Sequence, residues 1–326
     1  MHLLKYTGSL LLYGYPALCL VAGSSKMIIP FDVYYNFLSD DEDKLDRVYH
    51  KGQDKIWDGK EVLDSLFEKY DDLDLDPERS LALKNILSII FWGEYVAWNV
   101  ASDLSSSLDD FGAKMAAVSQ AHDEARHFYV MGDYLKKRLD FRPEAIMPAA
   151  FKVLNGVGKT ENVAKKLLGM QLMVEPIAIT IFRFLRKSNV DPLLSELLEF
   201  YERDEARHIA LGMKYLPNLI RKMGFFQMCN FVLWQIKMIN AEIEGLKSIE
   251  KDLLALDLKP IEVFEFTEKK QIDCLKELSS EMGVSDVLWR PVMRIVKFRK
   301  HLAFYPNKDH LSIRKVINSF FEAIRD

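Results

Sequence analysis

The sequence is short of cysteine, carries no marked excess of one charge and has no glycine-rich phosphate loop. Its three cysteines, Cys19, Cys229 and Cys274, are odd in number and far apart. That spacing implies no disulfide framework and points to a reducing compartment, so a cytoplasmic location is expected. A formal charge of -4 over 326 residues gives no electrostatic reason to expect nucleic acid or an anionic membrane as a partner. Strand-like alternation of any length is missing too, which together with the lack of a phosphate loop argues against a sheet and against nucleotide chemistry. With 49% apolar and 28% charged residues the chain can still bury a large core, so a helical fold is left.

What the sequence does contain is a repeat. Asp123-Glu124-Ala125-Arg126-His127 returns in the same order as Asp204-Glu205-Ala206-Arg207-His208, 81 residues later. Glu94 lies 30 residues before Glu124, and Glu175 lies 30 before Glu205. Four glutamates and two histidines are thereby related by one internal duplication. In each Glu-x-x-His the two side chains are about 300° apart around a helix, so they leave one face and can reach one metal cluster. Carboxylates can bridge two cations, and one imidazole per metal leaves positions open for other ligands. Asp123, Arg126, Asp204 and Arg207 flank the ligands and are of the type that orients imidazoles and offsets buried charge. A single Glu-x-x-His is usually a solvated helix face; two identical pentapeptides with two further glutamates in phase are not.

Turn signals sit where two helical hairpins need them. Between Glu94 and Glu124 the run Ser105 to Asp110 covers the midpoint, and between Glu175 and Glu205 the run Lys187 to Pro192 does the same. Asp76-Pro77-Glu78 opens a helix to about Leu104, on which Ile90, Phe91, Ala97 and Trp98 are expected to bury Glu94. The next helix spans about Asp110 to Leu139, with Ala116, Ala117, Gln120 and Ala121 leaving room beside the metals. A crossover through Met147-Pro148 and Asn155 to Gly158 leads to a helix from Thr160 to Arg186, which Pro176 should distort. The fourth core helix runs from Asp191-Pro192 to about Met223. Four segments follow: residues 1–26, an uncertain extension; 27–76, an N-terminal wrap with one recognisable helix at Lys60 to Tyr70; 77–223, a four-helix di-metal core; and 224–326, C-terminal helices. The long helical pattern after Gly224, continuing to about Leu254, is too polar to span a membrane. The apolar run Leu10 to Ala22 reads either as an export signal or as a translated extension upstream of Met27.

On these residues, positions 80 to 220 resemble the ferritin-like superfamily, an all-α four-helix bundle that here would carry additional N- and C-terminal helices. The Asp-Glu-x-Arg-His form in both halves looks most like the hydroxylase subunits of bacterial multicomponent monooxygenases, with acyl-carrier-protein desaturases and the small subunit of ribonucleotide reductase as further members of the group. The resemblance implies two iron ions, or a manganese and iron pair, with Glu94, Glu124 and His127 serving one and Glu175, Glu205 and His208 the other. It also implies dioxygen, a small organic or acyl substrate, an electron-donor protein such as a reductase or ferredoxin, and a homodimer.

The departures matter as much. Met131 stands where the ribonucleotide reductase subunit has its radical tyrosine. Tyr201 stands where arylamine N-oxygenases have an extra histidine, and it reads equally as a pocket or relay residue and as a packed tyrosine. Glu202 reads as an additional ligand or, more simply, an ion-paired residue. Thr180 follows Glu175 by five positions, close to the threonine of hydroxylases and desaturases but out of their register. The expected activity is an O2-dependent oxygenase or oxidase, acting in an Ala- and Met-lined pocket; the alternatives are a ferroxidase or peroxide-detoxifying protein and a radical-generating subunit.

Overall fold

Asp76 begins the first long helix as its residue types require: its carboxylate accepts from the N–H groups of Glu78 and Arg79, and Pro77 occupies the first helical position. The structure is a computed structural model and describes residues 44–143, 148–285, 289–304 and 312–324. The chain divides into Met1–Asp41, which lies outside the described residues together with the Leu10 to Ala22 run, and Glu42–Asp326. Among the described residues every regular element is a helix. In order these are α1 (Lys44–Asp54), α2 (Gly59–Lys69), α3 (Pro77–Ser107), α4 (Phe111–Leu139), α5 (Pro148–Gly158), α6 (Val163–Gly169), a π-helical turn (Met170–Val174), α7 (Glu175–Ser188), α8 (Pro192–Ile220), α9 (Phe225–Ser248), α10 (Glu250–Ala255), α11 (Pro260–Met282), α12 (Arg290–Phe304) and α13 (Ile313–Ile324).

Helices α3, α4, α6–α7 and α8 form the central bundle, α3 against α4 and α7 against α8. Its core falls into two apolar clusters. One holds Leu83, Ile86 and Leu87 of α3, Val130 to Leu135 of α4, Phe182 and Leu185 of α7, and Leu194 to Tyr201 of α8. The other holds Ala97 to Leu104 of α3, Ala113 to Ala117 of α4, Leu167 to Met173, and Leu211 to Ile220 of α8. Glu94, Glu124, Glu175 and Glu205 fall between them on every helix. The order of the clusters reverses from α3 to α4 and again from α7 to α8, so each pair is antiparallel, and the carboxylates form a buried layer across the middle of the bundle.

Both hairpins turn in the expected places. Asp110 caps α4 through the Ala113 N–H. Asn189, at φ 49°, takes the left-handed conformation that ends α7, and Asp191 caps α8.

The helix expected over Thr160 to Arg186 is distorted beside Pro176, as expected: a π turn ends at Val174, two residues before the proline that cannot donate into the ladder. Two expectations are corrected. Asn155 to Gly158, expected as part of a crossover segment with no helix assigned to it, is the end of α5. Only Ile90 and Ala97 of the residues expected to bury Glu94 are themselves buried; Phe91 stacks on Phe128 at 4.4 Å and Trp98 lies on an outer aromatic strip. Helix α1, not anticipated from sequence, packs on α4 and α8. By length and composition the run Val163–Ser188 would suffice to cross a membrane, but 72% of its apolar window is buried inside the bundle.

Candidate metal centre

The six residues related by the duplication meet in the buried layer. Glu94, Glu124, His127 and Glu205 form one group whose ligand atoms all lie within 4.8 Å of one another, and Glu124, Glu175, Glu205 and His208 form a second. Glu124 and Glu205 belong to both. His127 Nδ1 lies 3.4 Å from Glu94 Oε2, 3.4 Å from Glu124 Oε2 and 3.3 Å from Glu205 Oε1. His208 Nδ1 lies 3.0 Å from Glu124 Oε1, 2.9 Å from Glu205 Oε2 and 3.9 Å from Glu175 Oε1. Both imidazoles therefore turn the same nitrogen toward the carboxylates.

The opposite nitrogens face the aspartates, and the pairing is crossed. His127 Nε2 is 3.2 Å from Asp204 and His208 Nε2 is 3.3 Å from Asp123, so each aspartate serves the histidine of the other repeat. Arg126 Nη2 bonds Asp123 at 2.5 Å and Asp204 at 2.9 Å. Arg207 bonds Asp204 at 2.9 Å and Asp123 at 2.8 Å. Two carboxylates and two guanidiniums thus close a ring of charge beneath the imidazoles, the arrangement that fixes ring orientation and protonation. Trp57 adds an indole N–H to Asp204 Oδ2 at 2.7 Å, with its ring 4.7 Å from the Arg126 guanidinium carbon.

The electrostatics show a layer short of positive charge. Burial pushes the Glu94 and Glu175 carboxyls well above the usual carboxylate range, and for Glu175 the neighbouring Glu205 and Glu124 add to it. Burial works against charge on both imidazoles, yet the surrounding carboxylates hold His127 and His208 well above the ordinary histidine range. Burial also opposes ionisation of Asp204, but the bonds to His127, Arg207 and Trp57 keep it far below the ordinary aspartate range. Glu124 Oε2, His127 Nδ1 and Glu205 Oε1 are buried without any hydrogen-bond partner. Polar atoms orphaned at this depth are costly, and a cation among them removes the cost. The residues fit a pair of metal ions.

No family model matches the chain, and no curated protein matches it. Solved structures that are similar include a Synechococcus protein with aldehyde deformylating oxidase activity, at 15% identity and a TM-score of 0.56, covering 67% of this chain and 98% of its own. Two single-residue mutants of an R2-like ligand-binding oxidase with an aerobically reconstituted Mn/Fe cofactor are similar at 14% and 13% identity, with TM-scores of 0.51 and 0.50. Each covers 76% of this chain, and 96% and 95% of its own. The fold is ferritin-like.

Within this ferritin-like bundle the remaining sequence candidates are placed differently from one another. Tyr201 is fully buried, its ring stacked on His127 with centroids 4.1 Å apart and its hydroxyl donating to the His127 carbonyl at 2.7 Å. The Thr180 hydroxyl donates to the Pro176 carbonyl at 2.7 Å, a bond within its own helix, and Thr180 does not line the cavity described below. Glu202 pairs with Arg183 and Arg186 rather than joining the cluster.

Residues that sequence reasoning missed complete the site. Gln120, expected to lie among room-making small residues, donates to Glu124 and Glu175 at 3.0 Å each, and Gln171 donates to Gln120 at 3.0 Å. Gly212 makes that possible, since a Cβ there would lie 2.7 Å from the Gln171 Cβ. A cavity of about 160 Å3 opens beside Glu94 and Glu175, between α3, α7, α9 and α11. Its wall is mostly Ile, Val, Leu and Ala, with Phe264 and the polar Glu242, Thr267, Glu268 and Gln271; it has no methionine and none of Ala116, Ala117 or Ala121, which corrects the expected lining. The helical period identifies Gln120 as facing Glu124 at i+4; nothing local marks Trp57 or the cavity.

Proposed function

We propose that the chain is a di-metal oxidase or oxygenase that uses dioxygen to oxidise a small organic substrate. The observation that carries the reading is the junction of two features: overlapping carboxylate and histidine groups, and an apolar cavity lined by Glu94 of one group and Glu175 of the other. In this reading Glu94, Glu124, His127 and Glu205 would hold one metal, and Glu124, Glu175, Glu205 and His208 would hold the second. Iron is the metal the donor set suits best, and the Mn/Fe cofactor of the R2-like oxidases supports a mixed pair as the alternative. When bound, the metal pair would supply the redox chemistry with dioxygen.

The chain's own residues do the rest. Asp204 and Asp123 accept from the imidazole Nε2–H groups and so keep each Nδ1 lone pair toward the carboxylates. Arg126 and Arg207 offset the anionic layer, and Gln120 fixes the rotamers of Glu124 and Glu175. The Ile and Val wall excludes water from the substrate side. Tyr201 acts as a positioning residue for His127 through the ring stacked on the imidazole, and Thr180 has no contact that gives it a part in this reading. An apolar cavity favours an organic substrate over a ferroxidase, whose cargo would need an acidic approach. Electrons would come from a partner protein, and a homodimer is the proposed assembly.

The test is anaerobic loading with ferrous iron followed by rapid mixing with oxygen under optical and Mössbauer observation. Two irons per chain giving an antiferromagnetically coupled diferric product, lost in Glu124→Ala, is the expected result. A wild type that fails to bind two metals would sink the reading.

A further inference from the structure

One titratable group in the cavity wall has no part in the metal chemistry. Glu242 of α9 and Gln271 of α11 border the same cavity as Glu94 on α3 and Glu175 on α7. Gln271 Nε2 donates to Glu242 Oε2 and to the Met173 carbonyl of the π turn, at 3.2 Å each, which ties the carboxyl to the segment leading into Glu175. The other oxygen, Glu242 Oε1, is buried and has no hydrogen-bond partner. The rest of the wall is almost entirely aliphatic. Glu268, the other carboxylate in it, is ion-paired with Lys300 at 2.7 Å.

A buried polar atom left without a partner costs free energy unless something entering the site supplies one. Burial pushes the Glu242 carboxyl up to about 8, against a single opposing bond from Gln271. At neutral pH it therefore holds a proton and can donate. The cavity volume of about 160 Å3 is close to that of an engineered apolar cavity, about 150 Å3, known to take benzene.

Resting on the oxidase reading, we propose that Glu242 is the substrate-recognising residue of this cavity: its carboxyl donates a hydrogen bond to the one acceptor atom, a carbonyl or ether oxygen, of an otherwise apolar molecule the size of a substituted benzene ring. Gln271 holds the carboxyl in place. With its oxygen at Glu242, the molecule's apolar part would fill the aliphatic remainder of the cavity, whose wall includes Glu94 and Glu175.

Three probes of one skeleton test this in the full chain, with binding followed by ligand-observed NMR. Acetophenone carries an acceptor, isopropylbenzene carries none, and 1-phenylethylamine carries a cation. Wild type is expected to bind acetophenone about tenfold more tightly than isopropylbenzene. Glu242→Leu should bind the two equally, and Glu242→Gln, which keeps an N–H donor, should retain part of the preference. If Glu242→Leu does not fold, as judged by its melting transition, Gln271→Leu takes its place and should lower the preference. Equal binding in wild type, a preference unchanged in these variants, or tightest binding of the amine would overturn the proposal. A chain that shows the preference but binds fewer than two metals would remove the oxidase reading alone. One that binds two metals and takes all three probes equally would remove this proposal alone.

Discussion

Asp204 reaches the imidazole of His127, 3.2 Å away, although the histidine nearest to it in sequence is His208. The bond couples the two repeats: a carboxylate on α8 reaches an imidazole on α4, and Asp123 returns the relation at 3.3 Å. Asp204→Asn keeps the shape and removes the charge that the His127 Nε2–H needs as acceptor. Metal affinity at the His127 position should fall about 10- to 100-fold. A chelator competition titration would measure it, and Asp123→Asn should give a loss of similar size at His208. Unchanged affinity in both variants would show that the crossed pairing does not support metal binding.

Tyr201→Phe separates the two contacts that Tyr201 makes with His127. The ring stack survives, while the hydroxyl bond to the His127 carbonyl is lost. Stability should drop by about 1 to 2 kcal/mol in urea unfolding, with two metals still bound per chain. Loss of one metal would instead mean that the hydroxyl, through the carbonyl, sets the position of the imidazole.

The sign of the pH dependence at Glu242 follows from its folded value of about 8 against an ordinary 4.5. Between those values the folded chain keeps a proton that the unfolded chain has released, so this group's contribution to stability falls as pH rises from 4.5 to 8 and levels off above. Over that window the loss is on the order of several kcal/mol. Glu242→Gln has no proton to lose. The difference in melting temperature between wild type and Glu242→Gln should therefore shift in the variant's favour between pH 5 and pH 8, and a constant difference would contradict the assignment.

Asp191 anchors the second hairpin by a route that owes nothing to the metals. It caps α8 through the Leu193 N–H at 3.1 Å and receives the Tyr134 hydroxyl at 2.7 Å and two bonds from Arg138 at 2.9 and 3.1 Å. Asp191→Ala leaves the buried Tyr134 phenol without its acceptor and the largely buried Arg138 guanidinium with only the Asp71 carbonyl, and should cost about 3 to 5 kcal/mol. Asp191→Asn should cost less, as measured by denaturant unfolding of the metal-free chain.

The sequence by itself determined the class of the fold and the residues that converge at its centre. Helical spacing puts Glu124 and His127 on one face, the duplication pairs them with Glu205 and His208, and the turn residues at 105–110 and 187–192 bring Glu94 and Glu175 alongside. These are local signals, written within a few turns of helix or repeated at a fixed distance. Tertiary structure decided what depends on elements far apart in the chain. The exchange of aspartates between repeats, Trp57 on Asp204, and the Met173–Gln271–Glu242 link each join side chains whose neighbours in sequence carry no mark of the contact. The cavity is likewise set by how α9 and α11 lie over α3 and α7, since the volume left between helices depends on their packing and not on the period of any one of them.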